Sequence, residues 1–420
     1  MSVENKKIVY FDYWTVGIGN FKFFDQKLKD KGFETKLIHL ASWKGLKEPK
    51  HQTIQGIDSF DITYYKTNRI YDVLRKEKPA ALIMLNASFI TDRTLILSCR
   101  KLGIRSIYIM HGALVREEYI DENIKIQNQS LKRNRIGKAI KHLKGTVWNY
   151  VYTIWKFDKA YFFKKHIYDV LLGSFLNPAK YLNYPPPAFD LHPDLSLVYG
   201  ELDKAFYEKK NLIQGSTIKI IGNPDLDKHF KELSTLEDNK EEFFRQSNIP
   251  TNKPYITYID EGLVEDNFWD NEYRMDFFKT IIEICNQAGY RLVIKLHPRT
   301  ARGKHASSFH ELKEATILSN TNFSKLVYFS EKCISHYSTT LIYPILLNKP
   351  ILIPRWGRSA EQITLYTPKE VTFVNSLDEL KRYIVSKDFS YDRSDYLRNY
   401  VSFTDGKTDE RIVGHILNQI

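Results

Sequence analysis

The sequence predicts an α/β protein of two tandem domains, each an open parallel sheet covered by helices on both faces. Three observations carry that expectation. Strand-like and helix-like segments alternate with short connections through residues 7–112, and again from Tyr255 onward. A polar, charged stretch from about Asp225 to Asn252 separates the two runs. The chain's 420 residues, 43% of them hydrophobic, exceed one comfortable core and suffice for two.

In the first run, Ile8–Tyr13 reads as a buried strand, followed by Gly17-Ile18-Gly19 and a helix over Asn20–Lys31. Thr35–Leu40 is the next strand, Asn68–Lys76 a helix, Ala80–Leu85 a strand and Thr94–Leu102 a helix ended by Gly103. Arg105–Met110 is a strand that runs out into His111-Gly112. Strands at Ser196–Tyr199 and Thr217–Ile221 follow a less regular middle. The second run gives strands at Tyr255–Ile259, Arg291–Leu296, Lys332–Ser335, Pro350–Ile353 and Val371–Val374. Its helices are Tyr273–Ala288, ended by Gly289, and one opening near Ser338; Asp409–Gln419 reads as a final helix. The implied domains are 1–240, with a helical basic insertion at about 125–185, and 241–405, followed by a helix over 406–420 that packs back on the first domain. Two such sheets in tandem are expected to face each other across a cleft, with ligands beyond the carboxyl ends of the strands.

A formal net charge of +12 and a pI near 9.2 point to an anionic partner. The charge concentrates between Lys132 and His166, where ten Lys/Arg face one acidic residue, Asp158, among Trp148, Tyr150, Tyr152, Trp155, Phe157 and Tyr161–Phe163. Such a stretch fits an anionic membrane surface, a solvated basic face over a buried aromatic core, or a groove for an acidic polysaccharide. No nucleic-acid module accompanies it, so nucleic acid is not expected as a partner. Cys99, Cys285 and Cys333 match no metal or disulfide spacing and read as small buried side chains. The start of the chain carries no signal-peptide pattern, and no apolar run reaches the roughly 18–20 residues that span a bilayer. The expected location is cytoplasmic, peripheral on the inner face of the membrane.

The informative residues should be those just after strands. Lys295-Leu296-His297-Pro298-Arg299 leaves an apolar strand with a histidine fixed by the following proline and flanked by two cations. Histidine can donate a hydrogen bond to a phosphate there, and arginine offers a planar fork. Ser338-Thr339-Thr340 brings hydroxyls and free backbone N–H groups to the start of a helix, a second feature suited to an anion, although Ser and Thr also cap helices routinely. Asp260-Glu261-Gly262 sets two carboxylates and a turning glycine at a third strand end, suited to a general base or to a solvated turn. Gly17 and Gly19 suit a close approach of backbone to substrate, or an ordinary tight turn; a third glycine of a dinucleotide fingerprint is missing.

In this order, Asp260-Glu261-Gly262, His297-Pro298 and Ser338-Thr339-Thr340 resemble the Asp/Glu-Asp/Glu-Gly, His-Pro and Ser-Ser/Thr motifs of bacterial sialyltransferases. The resemblance implies a GT-B fold of two Rossmann-like domains. It also implies a CMP-sugar donor whose phosphate is held by His297 and the hydroxyls, and the first acidic residue as base. Ile334–Thr340 leading to Asn348–Ile351 is similar to the C-terminal signature of CDP-glycerol glycerophosphotransferases, and capsule Kdo transferases share a similar His-Pro element. The resemblance covers mainly residues 255–355. Within it, Lys295, Pro298, Arg299, Gly262 and Glu361 fall on the donor side, Glu361 as the ribose-holding glutamate such enzymes carry after a strand and loop. The acceptor side is represented by Gly17, Gly19 and Glu118.

The base stays open between Asp260, with Glu261 beside it, and His111, whose His-Gly pair resembles the glycerophosphotransferase group and precedes Glu117 and Glu118. No Asp-x-Asp metal motif is present, so neither metal nor other cofactor is expected. The reaction expected is transfer of sialic acid or a related acidic keto-sugar from CMP to a surface glycan or lipid-linked glycan. A Kdo or glycerol-phosphate polymer transferase is the nearest alternative. A UDP-sugar 2-epimerase-like enzyme and a non-catalytic glycan-binding assembly protein stand for other classes.

Overall fold

The structure is a computed structural model, and it describes residues 6–112, 143–163, 165–176, 191–210, 217–265, 268–359 and 366–420. The chain divides into two compact units, one formed by Met1–Asp227 with Asn399–Ile420, the other by Lys228–Arg398. Glu117, Glu118, Glu361 and the parts of the basic insertion at 125–142 and 177–185 lie outside the described residues.

In the first unit the strands are β1 (Lys7–Asp12), β2 (Glu34–His39), β3 (His51–Ile54), β4 (Ile57–Asp61), β5 (Ala81–Met84), β6 (Arg105–Ile109), β7 (Leu195–Val198) and β8 (Thr217–Ile220). They form one sheet in the order β3-β4-β2-β1-β5-β6-β7-β8, parallel throughout except for β3 against β4. The sequence did not announce that hairpin. Its turn, Gln55-Gly56, has positive φ at both residues, the geometry two-residue hairpins need, but glutamine gives no turn signal of its own. The helix Ile90–Leu102 also starts a turn earlier than expected, because the Asp92 carboxylate accepts the Phe89 N–H at 2.9 Å and caps the first turn. Helices Ile18–Asp30 and Thr408–Leu417 pack on one another; Ile412, Val413 and Ile416 join the unit's core, and Lys27 pairs with Asp409 and Glu410.

The basic aromatic stretch is sorted by the fold into two sides. Tyr150, Ile154, Tyr161, Ile167 and Val170 are buried with Ile90 and Leu97 of the preceding helix. Trp148, Trp155, Phe163, Tyr168, Leu172 and Leu176 are exposed. Among the described residues no helix is long and apolar enough to cross a membrane. The three cysteines are buried and free.

The second unit holds β9 (Tyr255–Ile259), β10 (Arg291–Lys295), β11 (Thr316–Leu318), β12 (Lys332–Ile334), β13 (Ile351–Pro354) and β14 (Thr372–Val374). All pair in parallel, in the order β11-β10-β9-β12-β13-β14. Both faces are buried, as parallel sheets require. Ile256, Tyr258, Leu292 and Ile294 meet the helix Asn271–Gln287 on one side, while Tyr255 and Val293 meet Phe243, Ile249 and Leu326 on the other.

Candidate active site

Strand order reverses once in each sheet, and crevices beyond strand ends at such points are where open α/β sheets take ligands. In the second sheet the chain starts at β9, moves outward through β10 and β11, then returns to β12 on the other side of β9. The reversal therefore brings three strand exits side by side: His297 beyond β10, Asp260-Glu261 beyond β9, and Ser335–Ser338 beyond β12.

The two acids at the end of β9 serve different neighbours. The Asp260 carboxylate turns to β10: Oδ2 accepts the backbone N–H of His297 at 2.9 Å, and Oδ1 lies 3.4 Å from the Gly262 N–H. Glu261 turns to β12. Its Oε1 accepts the backbone N–H groups of His336 (2.8 Å), Tyr337 (2.9 Å) and Ser338 (2.8 Å), and the Ser335 hydroxyl. Both acids are buried. Burial pushes the Glu261 carboxyl up to about 7, although its four donors pull the other way.

This geometry corrects one sequence expectation. The amides of Ser338-Thr339-Thr340 were expected to be open to an anion. The Ser338 N–H is taken by Glu261, together with those of His336 and Tyr337, and the Thr340 N–H goes to the Ser338 hydroxyl at 3.3 Å. The segment is a short 3-10 turn, Thr339–Leu341, running into the helix Ile342–Leu346. It presents hydroxyls: Thr339 and Thr340 are exposed, and Ser338 Oγ lies 2.7 Å from Thr340 Oγ1. Tyr366 holds the turn from behind, donating its hydroxyl to the Ser338 carbonyl at 2.7 Å.

His297 has extended backbone and caps the helical turn Pro298–Arg302, with Pro298 at the first position, where a missing N–H costs nothing. Its Nδ1 accepts the Arg299 N–H at 3.2 Å, so the neutral ring carries its proton on Nε2. Arg299 is exposed. Gly262, at φ +73°, turns the chain beside both: a methyl built there would lie 3.4 Å from Arg299 Nη2, 3.5 Å from His297 Nδ1 and 3.4 Å from Glu265 Oε2. Glu265 is a site neighbour that sequence reasoning missed. It accepts the Thr300 hydroxyl at 3.0 Å and pairs at 3.5 Å with Arg274, which is buried against the Phe309 ring. The available signal was its position three residues after Gly262, in the same loop.

Lys295 does not join this group. Its ammonium donates to the carbonyls of Leu296 (2.9 Å) and Ser319 (3.1 Å), so the expected cation is spent on the β11 side of the sheet. His336 is buried, with Nε2 3.0 Å from the Tyr258 hydroxyl, and burial lowers its pKa to about 3, which keeps the ring neutral.

In the first unit His111 and Gly112 are exposed at the end of β6, Gly112 with φ +69°. Gly17 is required for a different reason from the one expected: a methyl there would fall 2.1 Å from Asp12 Oδ2, so the close approach is to the protein's own carboxylate at the end of β1. Gly19 lies within the helix Ile18–Asp30 with open space around it. The reversal point of this sheet lies between β1 and β5. Close to it Tyr13 donates to Asp92 at 2.8 Å, and burial pushes the Asp92 carboxyl up to about 7.

The chain is similar across 99% of its length to the wall teichoic acid polymerase TagF (TM-score 0.54, 13% identity, 89% of that chain). It is similar across the same share to the glycotransferase of kitacinnamycin (TM-score 0.53, 12% identity, 98% of that chain). The UDP-GlcNAc 2-epimerase from Methanocaldococcus jannaschii matches 98% of this chain and 99% of its own (TM-score 0.50, 17% identity). These likenesses show the fold: two α/β units of GT-B type. More particularly, residues 223–351, less than half of the chain, match the alpha-2,8-polysialyltransferase family model, so the second unit's motifs lie in a sialyltransferase-like GT-B context. No curated protein sequence matches the chain.

Proposed function

We propose that the protein is a glycosyltransferase that moves an acidic keto-sugar, sialic acid or a relative, from a CMP-linked donor to a surface glycan or lipid-linked glycan. The observation that carries the reading is the convergence of the β10, β9 and β12 exits within the stretch that matches the polysialyltransferase model. The donor's phosphate is held by Nε2–H of His297, the guanidinium of Arg299 and the hydroxyls of Ser338, Thr339 and Thr340. Negative charge builds on that phosphate as the glycosidic bond breaks, so donors fixed beforehand lower the barrier. The positive charge comes from protein side chains, and no metal is assigned a part. Asp260 takes the acceptor's proton: each of its oxygens accepts one backbone N–H and keeps lone-pair capacity for a hydroxyl. His111 is the second candidate.

The test is a thermal-shift panel of CMP, CDP, UMP, UDP and GDP on the wild type and His297→Ala. Stabilisation by CMP or CDP that is lost in the variant supports the assignment; cytidine nucleotides without effect, or an undiminished shift in the variant, would overturn it. The epimerase likeness favours a second reading, in which a UDP-sugar is converted with no acceptor. Product analysis with a UDP-sugar alone separates the two.

For the acceptor side we assign a peripheral contact with an anionic membrane. Trp148 and Trp155 are exposed on the helix Trp148–Phe157, and the Lys159 ammonium sits 4.6 Å from the Trp155 ring. Amphipathic aromatic rings beside cations suit the headgroup level of a bilayer.

A further inference from the structure

We propose that Glu261 is a positioning residue: its Oε1 fills the nest of donors at Ser335–Ser338 and so sets the hydroxyls of Ser338, Thr339 and Thr340 toward the donor's phosphate. The inference rests on the reading that those hydroxyls meet the phosphate.

Three consecutive backbone N–H groups aimed at one point form a concavity that binds anions. Here the point is occupied from within the chain. Glu261 Oε1 lies 2.8, 2.9 and 2.8 Å from the amides of His336, Tyr337 and Ser338, and the Ser335 hydroxyl joins them. The Ser335 hydroxyl also contacts the Ile259 carbonyl at 3.0 Å, so the knot reaches back to β9 itself. The other oxygen, Oε2, is buried with no hydrogen-bond partner among the described residues. All the work is therefore done by one atom.

The amide of Ser338 is the last of the three, and the same residue's hydroxyl caps the turn that follows. Fixing that amide fixes where the capping hydroxyl and the next two side chains begin. The surroundings agree with a mechanical role. Burial first, and the neighbouring Glu261 and Asp260 carboxylates after it, push the Tyr258 hydroxyl well above its ordinary pKa, so it stays a neutral partner of His336.

The experiment compares wild type, Glu261→Gln, Glu261→Ala and Glu261→Asp by titration with CMP and CDP well below the melting temperature, and by amide hydrogen exchange. Gln keeps a carbonyl oxygen for the four donors. It should hold nucleotide Kd within about threefold of wild type, whereas Ala should raise it by about tenfold or more. Asp, one methylene shorter, should fall with Ala, and serves in its place if Ala does not fold. Exchange at the amides of 336–338 should accelerate in Ala and Asp and stay near wild type in Gln. A role in overall stability alone would lower the melting temperature yet leave Kd of the folded protein unmoved, and that result would overturn the proposal. Unchanged exchange at 336–338 in Ala would overturn it as well. Wild type that binds neither CMP nor CDP would instead overturn the donor reading, and the positioning role with it, while the exchange measurements would still report whether the clamp exists.

Discussion

Replacing Asp260 by Asn separates a base from a strut. The carboxylate has two attachments: the His297 N–H on Oδ2 at 2.9 Å and the Gly262 N–H on Oδ1 at a weaker 3.4 Å. A hydrogen bond to a charged group contributes about 1.5–3 kcal/mol and a neutral one about 1. Asn keeps one carbonyl oxygen for the His297 N–H, so the structural loss should be about 1 kcal/mol. In a unit of this size that is a fall of about 2–4 °C in melting temperature. Asp260→Ala leaves the His297 N–H buried and unpaired, and should fall further. Catalysis responds on another scale, because losing a general base costs about 10²–10⁴ in rate. The assay is steady-state transfer from a CMP-sugar, with CMP Kd measured alongside. The expected Asn variant binds CMP within about threefold of wild type, as a shift of a few tenths of a kcal/mol allows, and loses at least a hundredfold in kcat. If Asn keeps kcat within about tenfold and instead weakens CMP binding, Asp260 is a strut only, and the base must be sought at His111.

Two further outcomes follow from the first unit. Asp92 is buried, and its carboxyl is pushed from an ordinary 3.8 to about 7 chiefly by desolvation. Below about pH 4 it is protonated both folded and unfolded. As pH rises toward 7 the unfolded chain ionises first, so stability is lost across that window. The gap corresponds to roughly 4 kcal/mol at most. Denaturant titrations of wild type against Asp92→Asn should show the wild type losing stability relative to the variant between about pH 4 and 7; a constant difference across that range would refute the assignment. For the exposed tryptophans, co-sedimentation with vesicles containing phosphatidylserine should retain the wild type and lose Trp148→Ala with Trp155→Ala by about tenfold in partition, the order that two interfacial aromatics contribute. Equal binding by the double variant would refute the membrane contact.

The alternation of elements was legible because each strand is a short apolar run ended by a polar exit, and the exits are where the site lies. Asp260, His297 and Ser338 could be placed at strand exits of one sheet from the sequence, but their adjacency follows from the reversal after β11, a three-residue strand too short to be read. The destinations of their side chains could not be read either. Lys295 looked like a phosphate ligand because it precedes His297, yet the carbonyl of Ser319, beyond the adjoining strand, competes for its ammonium. Glu265 and Arg274 carry no motif; Glu265 becomes a neighbour of Gly262, and Arg274 a partner of Glu265, only when the loop folds back. The Gln55-Gly56 hairpin escaped for a local reason: a positive φ at glutamine is enforced by pairing of the flanking strands, not by the residue's own preference.

The placement of two acids side by side on β9 has a physical logic of its own. A parallel strand hydrogen-bonds both neighbours along its length, but past the last pair the neighbours' N–H groups have no backbone carbonyl opposite them. Buried N–H groups must nonetheless be satisfied. Asp260 and Glu261 extend the ladder by one step on each side of β9, Asp260 toward His297 and Glu261 toward Ser338. This explains how two carboxylates are tolerated next to one another with little exposure, since each replaces water by aimed donors. It also explains why the sequence pattern could be read as a catalytic pair: the residues that finish a ladder at a strand reversal stand where any ligand of that sheet must arrive. On this argument Glu261, with every donor on one oxygen, is the fixed member of the pair. In the proposed mechanism Asp260, whose two oxygens each accept a single N–H, is the one that meets the substrate.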